Sequence, residues 1–79
     1  MSAREMAVIA ERMNELSKRG EGYVLVFVVS YKGHSARHEG AAMLVTRDGR
    51  VFGTIGGGAL EKFAVDKALE FLSKGQGGL

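Results

Sequence analysis

The sequence predicts an α+β fold, with a small sheet of about three strands, including a hairpin, flanked by N-terminal and C-terminal helices. Three observations predict it: apolar residues at helical spacing near both ends, a β-branched and aromatic run over 23–29, and an Asp48-Gly49 pair between two further apolar segments. The 79 residues fit a single domain, 1–79, in which 75–79 are expected to form a flexible tail.

The first element is predicted to be an amphipathic surface helix. Ser2 followed by Glu5 fits a capping box, in which the hydroxyl and the carboxylate satisfy each other's backbone amides. Gly20 offers a stop signal. The apolar stripe of this helix comprises Met6, Ile9, Ala10, Met13 and Leu16.

Three strands are predicted next. The stretch "GYVLVFVVSY" has almost no polar residue, which is typical of a central strand buried on both faces. After the loop "KGHSARHEG", the segments "AAMLVT" and "VFGTI" flank Asp48-Gly49. This pair favours the positive φ angles of a tight turn, so the two segments are predicted to form a hairpin.

A second helix is predicted over about 59–74. At about 100° per residue its apolar arc covers roughly half of the surface; the arc comprises Leu60, Ala64, Val65, Ala68, Leu69, Phe71 and Leu72. Glu61 lies in the middle of this arc, either as a carboxylate that folds back onto free amides or as part of a site at the preceding glycines. Phe63 lies among the charged residues, as a singly exposed aromatic or as a partner contact.

Composition excludes several functional classes. The chain has no cysteine, so disulfides, thiolate metal sites and cysteine nucleophiles are excluded. Its eleven basic and nine acidic residues are scattered, which predicts no nucleic-acid arm. The longest apolar run is too short to cross a membrane and the N-terminus does not resemble a signal peptide, so a cytoplasmic location without membrane contact is expected.

Three consecutive glycines, Gly56, Gly57 and Gly58, precede the second helix. Amides at a glycine-lined helix N-terminus form a general anion-binding arrangement. The G-x-G-x-x-G fingerprint fails because Glu61 stands at its third glycine, and the Walker A pattern fails because Ala59 and Leu60 replace its Lys and Ser/Thr. Close backbone packing at a bend is the alternative explanation of the glycines.

The loop before the hairpin holds the other group of polar residues. Arg37 suits a phosphate or carboxylate because its guanidinium binds either in a bidentate way, and Ser35 adds a hydroxyl donor. His34 and His38 are four residues apart, but flanking glycines disfavour a helix and a metal site needs more ligands, so no metal site is predicted. No catalytic triad is predicted either, since the turn uses Asp48.

The segment "GHSARHEGAAMLVTRDGRVFGTIGGGALE" resembles the N-terminal domain of the XdhC/CoxI family of xanthine dehydrogenase accessory proteins. The resemblance covers roughly 23–72 and includes two motifs in order around a hairpin. Its matching positions are Gly33, Ser35, Arg37, Gly40, Met43, Asp48, Gly49, Gly53, Ile55, Gly56, Gly57, Gly58 and Glu61.

The resemblance implies a non-enzymatic accessory protein that binds the molybdenum cofactor (molybdopterin) transiently and helps mature xanthine dehydrogenase-type enzymes. Gly56, Gly57 and Gly58 would receive the cofactor's phosphate, Ser35 and Arg37 would assist, and Glu61 would orient the loop or a cofactor donor. Full-length members continue into a Rossmann-like domain, so the expected partners are the apoenzyme, or a separate Rossmann-domain chain, and a second copy in a homodimer.

Two alternatives stand beside this hypothesis. One is an interaction module that dimerises or docks onto a partner through Phe63 and nearby apolar surface. The other is a small-anion or nucleotide binder with no connection to molybdenum.

Overall fold

A three-stranded antiparallel sheet forms the middle layer of the molecule, with one helix on each face. The computed structural model describes residues 2–29 and 40–75. Within them the elements are α1 (Ala3–Lys18), β1 (Tyr23–Phe27), β2 (Ala42–Thr46), β3 (Val51–Gly53) and α2 (Gly58–Ser73). The predicted α+β class, the hairpin and the two flanking helices are confirmed.

Helix α1 begins with the predicted capping box. The Glu5 amide donates to the Ser2 hydroxyl at 3.1 Å, and the Ser2 amide donates to the Glu5 carboxylate at 3.3 Å. Of the predicted stripe, Ile9 and Leu16 are fully buried, whereas Met6 remains partly exposed at the N-terminal end. The stripe therefore anchors α1 mainly through its middle and last turns.

The predicted position of the first strand in the sheet is wrong. The sheet order is β1-β2-β3, so β1 lies at an edge and β2 is central. Every residue of β2 is buried, whereas β1 is half-buried and its last residue, Phe27, is exposed. The apolar run predicted two covered faces, but burial depends on which strands and helices lie beside it, and β2 occupies the central place.

Two apolar clusters lie on opposite faces of the sheet. The alternation of side chains along β2 sends Leu44 toward α1 and Met43 and Val45 toward α2. Ile9 and Leu16 complete the cluster on the α1 side, and Ile55 and Ala68 complete the one on the α2 side. Because β2 contributes to both clusters, it is the element that joins the two halves of the core.

The two helices are offset across the sheet. Helix α1 packs on β2 and β3, whereas α2 packs on β1 and β2. Each outer strand is therefore covered by a helix mainly on one face. This offset leaves Phe27 and Val29, at the end of β1, 51% and 69% exposed.

The predicted apolar arc of α2 is only partly buried. Ala68 and Leu72 form its buried centre, whereas Leu60 and Phe71 are 62% and 50% exposed. The arc predicted from spacing was too wide, because α2 lies on two strands and one of its sides has no neighbour among residues 2–29 and 40–75. Phe63, 59% exposed, is therefore one of three exposed large apolar residues on α2 and not a single one.

Candidate functional site

The turn from β3 into α2 has a backbone that requires glycine. Gly56, Gly57 and Gly58 have φ angles of 114°, 77° and 68°, in the left-handed region that L side chains rarely adopt. Gly57, the N-cap of α2, combines its positive φ with a ψ of −164°, a conformation essentially restricted to glycine. The three glycines therefore make possible a sharp entry into the helix.

Glu61 closes this turn from inside α2. One of its carboxylate oxygens accepts hydrogen bonds from the Ile55 amide at 3.0 Å, from the Gly57 amide at 3.1 Å and from the Thr54 hydroxyl. The Gly56 amide in turn donates to the Thr54 hydroxyl at 3.1 Å. A carboxylate that folds back onto free amides, one of the two interpretations of Glu61 from the sequence, describes this geometry.

The three donors stabilise the ionised form of Glu61. The hydrogen bond from the Thr54 hydroxyl, followed by those from the Ile55 and Gly57 amides, lowers the pKa of Glu61 below its ordinary value of 4.5. Glu61 is therefore a carboxylate at neutral pH, and the turn already holds one negative charge of the protein. Sequence reasoning missed Thr54, because its contact with Glu61 depends on the backbone of the glycine turn between them.

The glycines of the turn differ in what surrounds them. A Cβ on Gly53 would lie 2.6 Å from the Ala42 carbonyl oxygen, so this glycine serves close packing between β3 and β2. A Cβ on Gly57 or Gly58 would meet no atom of the described residues within 4 Å. Close packing therefore does not explain Gly57 and Gly58 among these residues, and their backbone faces open space.

The start of α2 supplies further backbone amides. The first amides of a helix have no partner within the helix, and Gly57 offers no side chain to cap them. Together with the positive end of the helix dipole they favour a negative group. Glu61 uses the Ile55 and Gly57 amides, so a second anion would meet the amides from Gly58 onward.

Ser35 and Arg37, the predicted assisting residues, lie outside the described residues, as do His34 and His38. The residues that bracket their loop are nevertheless placed. The Val28 amide donates to the Ala41 carbonyl at 3.0 Å, and the Gly40 amide donates to the Val28 carbonyl at 2.9 Å. Since Met43 pairs with Gly53, both ends of the loop lie at the same end of the sheet as the glycine turn.

A different polar group occupies the opposite end of the sheet, between α1 and the hairpin. A small groove there is lined by the ion pairs Arg12–Glu15, Arg19–Glu21 and Arg50–Asp48, with N···O distances of 3.3, 3.7 and 3.4 Å. The Arg12 guanidinium also lies 5.1 Å from the centre of the Phe52 ring. These charges neutralise one another, so the groove has no net preference for an anion or a cation.

Neither a metal site nor a membrane-spanning helix is found in the part of the chain that the structure describes. No group of three or more His, Asp or Glu residues there is placed to hold a metal ion. No helix in it is both long and apolar enough to span a bilayer. The chemistry available at the glycine turn is that of amide donors, a hydroxyl and a carboxylate.

The fold and the turn define a small three-layer α+β domain that presents glycine-lined amides at a helix N-terminus. The chain belongs to the XdhC and CoxI family, whose model matches residues 16–79. The family resemblance predicted from the sequence is confirmed.

Two curated relatives from Escherichia coli strain K12 are similar to this chain. The molybdenum cofactor insertion chaperone PaoD is 44% identical over 57 residues, which are 72% of this chain and 18% of PaoD. The uncharacterized protein YqeB is 33% identical over 60 residues, which are 76% of this chain and 11% of YqeB. The chain thus spans less than a fifth of the length of either relative, and no solved structure matches it.

Proposed function

We propose that this chain is an accessory protein that binds the molybdenum cofactor transiently and helps deliver it to a xanthine dehydrogenase-type apoenzyme. Membership of the XdhC and CoxI family and similarity to a molybdenum cofactor insertion chaperone support the proposal. The structural observation that carries it is the open, glycine-lined start of α2, inside the segment that the family shares. The proposed location is the cytoplasm.

The donors at this turn fit the phosphate group in which the pterin cofactor ends. Amides from Gly58 onward offer hydrogen bonds to phosphate oxygens, and the absent side chains of Gly57 and Gly58 let the group approach. Glu61 holds the turn in shape through Ile55 and Gly57. When bound, the cofactor supplies the molybdenum chemistry of the client enzyme, and this chain binds and orients it.

The Glu61 carboxylate makes a counter-charge necessary. A phosphate on the first amides of α2 would lie near this negative group, and like charges repel. We propose that Arg37, with Ser35, supplies the compensating donors from the loop whose ends lie at the same end of the sheet. A separate Rossmann-domain chain is the proposed partner for the remainder of the cofactor.

Titration with molybdenum cofactor released from a donor enzyme tests the proposal. Binding by the full chain is expected, and Arg37→Ala is expected to weaken it at least tenfold, about the effect of losing a charge-assisted hydrogen bond. Arg47→Ala is the matched control, because Arg47 lies in the hairpin turn at the other end of the sheet. Absence of binding, or equal losses from the two variants, would contradict the proposal.

Glu61→Gln separates the roles proposed for the turn. Glutamine keeps an acceptor for the Ile55 and Gly57 amides but removes the charge, so phosphate affinity is expected to be retained or to increase. A loss of affinity would instead mean that the carboxylate itself contacts the cofactor. If inorganic phosphate binds as tightly as the pterin, the chain is a small-anion binder and the molybdenum role is wrong.

A pure interaction module is the second candidate, and the exposed apolar side of α2 favours it. Leu60, Phe63 and Phe71 remain exposed on this helix. Such a module would be indifferent to Arg37→Ala. The same surface could also contact a second copy of the chain, and such self-association would not require the cofactor.

A further inference from the structure

Among the described residues, no strand pairs with the outer edge of β1, and the strand itself lacks the usual protection against pairing. Edge strands are commonly blunted by charged residues, proline or bulges. β1 reads Tyr-Val-Leu-Val-Phe, with no charged residue and no proline, and Phe27 and Val29 at its end are exposed. A strand of this composition at an edge favours pairing with a further strand.

The hydrogen bonds of the sheet show which β1 residues face the free edge. Val28 exchanges hydrogen bonds with the start of β2, so by alternation Val24 and Val26 point their amides toward β2. Leu25 and Phe27 therefore point theirs away from the sheet. Their side chains lie on the α1 face, where Leu25 packs against the Ile9–Leu16 cluster and Phe27 remains exposed.

Two further exposed apolar side chains, Leu60 and Phe71, lie above the same edge, on a line of α2 that also contains the half-buried Ala64 and the charged Lys67. Along α2, residues Leu60, Ala64, Lys67 and Phe71 follow the spacing i, i+4, i+7 and i+11, which places them on one line of the helix. Helix α2 runs in the direction of β2, from the glycine turn to Leu72 beside Gly22. The buried residues Ala68 and Leu72 face the sheet, and the line lies about 90° from them around the helix. For a right-handed helix that runs in this direction, the line lies on the β1 side of the molecule.

The geometry points to a homodimer in which β1 pairs antiparallel with β1 of a second copy, and the two α2 helices pack side by side above the joined sheet. A two-fold axis through Leu25 makes both contacts isologous. Phe27 of each copy then lies opposite Tyr23 of the other, an aromatic cross-strand pair. The two sheets become one sheet of six strands.

The spacing of the elements agrees with this arrangement. Adjacent strands lie about 4.8 Å apart, and α2 lies over the gap between β1 and β2. Two strand spacings then separate the two α2 axes by about 10 Å, close to the packing distance of about 8–10 Å for helices. One symmetry axis therefore brings both exposed surfaces to contact distance together.

The side chains on the α2 line suit an antiparallel helix pair. Leu60 at the start of one helix comes opposite Phe71 near the end of the other, and Lys67 comes opposite the small Ala64. The methylene stem of Lys67 can pack while its ammonium group stays at the surface, 3.6 Å from the Glu70 carboxylate. On β1, the pairing sets no charge against a like charge.

Sedimentation and light scattering of the full chain test the dimer. We expect twice the mass of one chain at micromolar concentration, and at least a tenfold increase in the dimer dissociation constant for Phe27→Lys or Phe71→Glu. Val51→Lys on the opposite sheet edge and Phe63→Glu on the outer side of α2 are the matched controls. A chain that stays monomeric overturns the proposal, and this is the result expected if the edge pairs with another protein. A dimer that is lost only in Phe63→Glu also overturns it.

A cross-link test remains informative if a charged variant fails to fold. The chain has no cysteine, so Leu25→Cys introduces a single thiol at the symmetry axis. Paired strands bring such positions within the range of a disulfide, and we expect a covalent dimer under mild oxidation. Val51→Cys is the control, and equal cross-linking of the two variants would overturn the proposed interface. Neither measurement depends on cofactor binding.

Discussion

Two turns at opposite ends of the sheet are each held by a carboxylate that accepts hydrogen bonds. In the hairpin turn, Asp48 accepts hydrogen bonds from the Thr46 hydroxyl and from the Arg50 amide at 3.4 Å. In the glycine turn, Glu61 accepts from the Thr54 hydroxyl and from two amides. Each turn thus combines a carboxylate, a threonine hydroxyl and backbone amides.

The two turns differ in the reach of the carboxylate. Asp48 bonds residues two positions away, and the Arg50 guanidinium lies 3.4 Å from it. Glu61 lies in α2 and reaches back four to seven residues, so it fastens the helix to the end of β3. The hairpin turn is a local structure, whereas the glycine turn joins two elements and exists only when both are in place.

Glycine substitutions are expected to have the largest effects, and they compare the end of β3 that leads into the glycine turn with the hairpin turn. Gly53→Ala brings a Cβ to 2.6 Å from the Ala42 carbonyl oxygen at a φ of 83°, so the free energy of unfolding should fall by about 3 kcal/mol. Gly49→Ala has similar backbone strain but open space, and about 1 kcal/mol is expected. Urea denaturation measures both, and equal losses would show that the close approach at Gly53 is relieved at little cost.

Removing either carboxylate is expected to have a smaller effect than the glycine substitutions, and the number of backbone amides affected should differ between the two turns. Glu61→Ala should speed hydrogen exchange at Ile55 and Gly57 and also in the first turn of α2, because the link between helix and strand is lost. Asp48→Ala should affect only the amides of its own turn, Arg50 included. Exchange measured by NMR distinguishes the two patterns, and a change confined to Ile55 and Gly57 in Glu61→Ala would mean that α2 is held by packing alone.

The pH dependence should be the smallest effect. The pKa of Glu61 is lowered in the folded state, so its contribution to stability is complete above 4.5, the ordinary value, and is lost as the pH falls through the lower folded pKa. The chemical shifts of the Ile55 and Gly57 amides should follow this protonation. Glu61→Gln should abolish the step at these amides and leave the one at Arg50, which follows Asp48 and its lowered pKa.

Local features of the fold were predictable from the sequence. The capping box at Ser2 and the hairpin at Asp48-Gly49 depend on residues within a few positions of each other, so their patterns were sufficient. The start of α2 was predicted to within one residue, since the glycine run marks it.

Features that depend on distant neighbours were not predictable in the same way. The apolar run of β1 indicates a strand but not its place in the sheet, which is set by how β2 and β3 pair. Likewise, the position of Glu61 in an apolar arc showed that it was unusual. Its donors depend on the φ angles of the glycines, and these became visible only in the structure.

The offset of the two helices has a consequence for the order in which the chain can mature during synthesis. The strands and α1 emerge first, but among residues 2–29 and 40–75 the face of β1 and β2 opposite α1 is covered by α2, which follows all three strands. Until α2 leaves the ribosome, Met43 and Val45 face water. A nascent chain in this state exposes an apolar sheet surface that is prone to aggregation. This face of the sheet is therefore covered only after α2 has been synthesised.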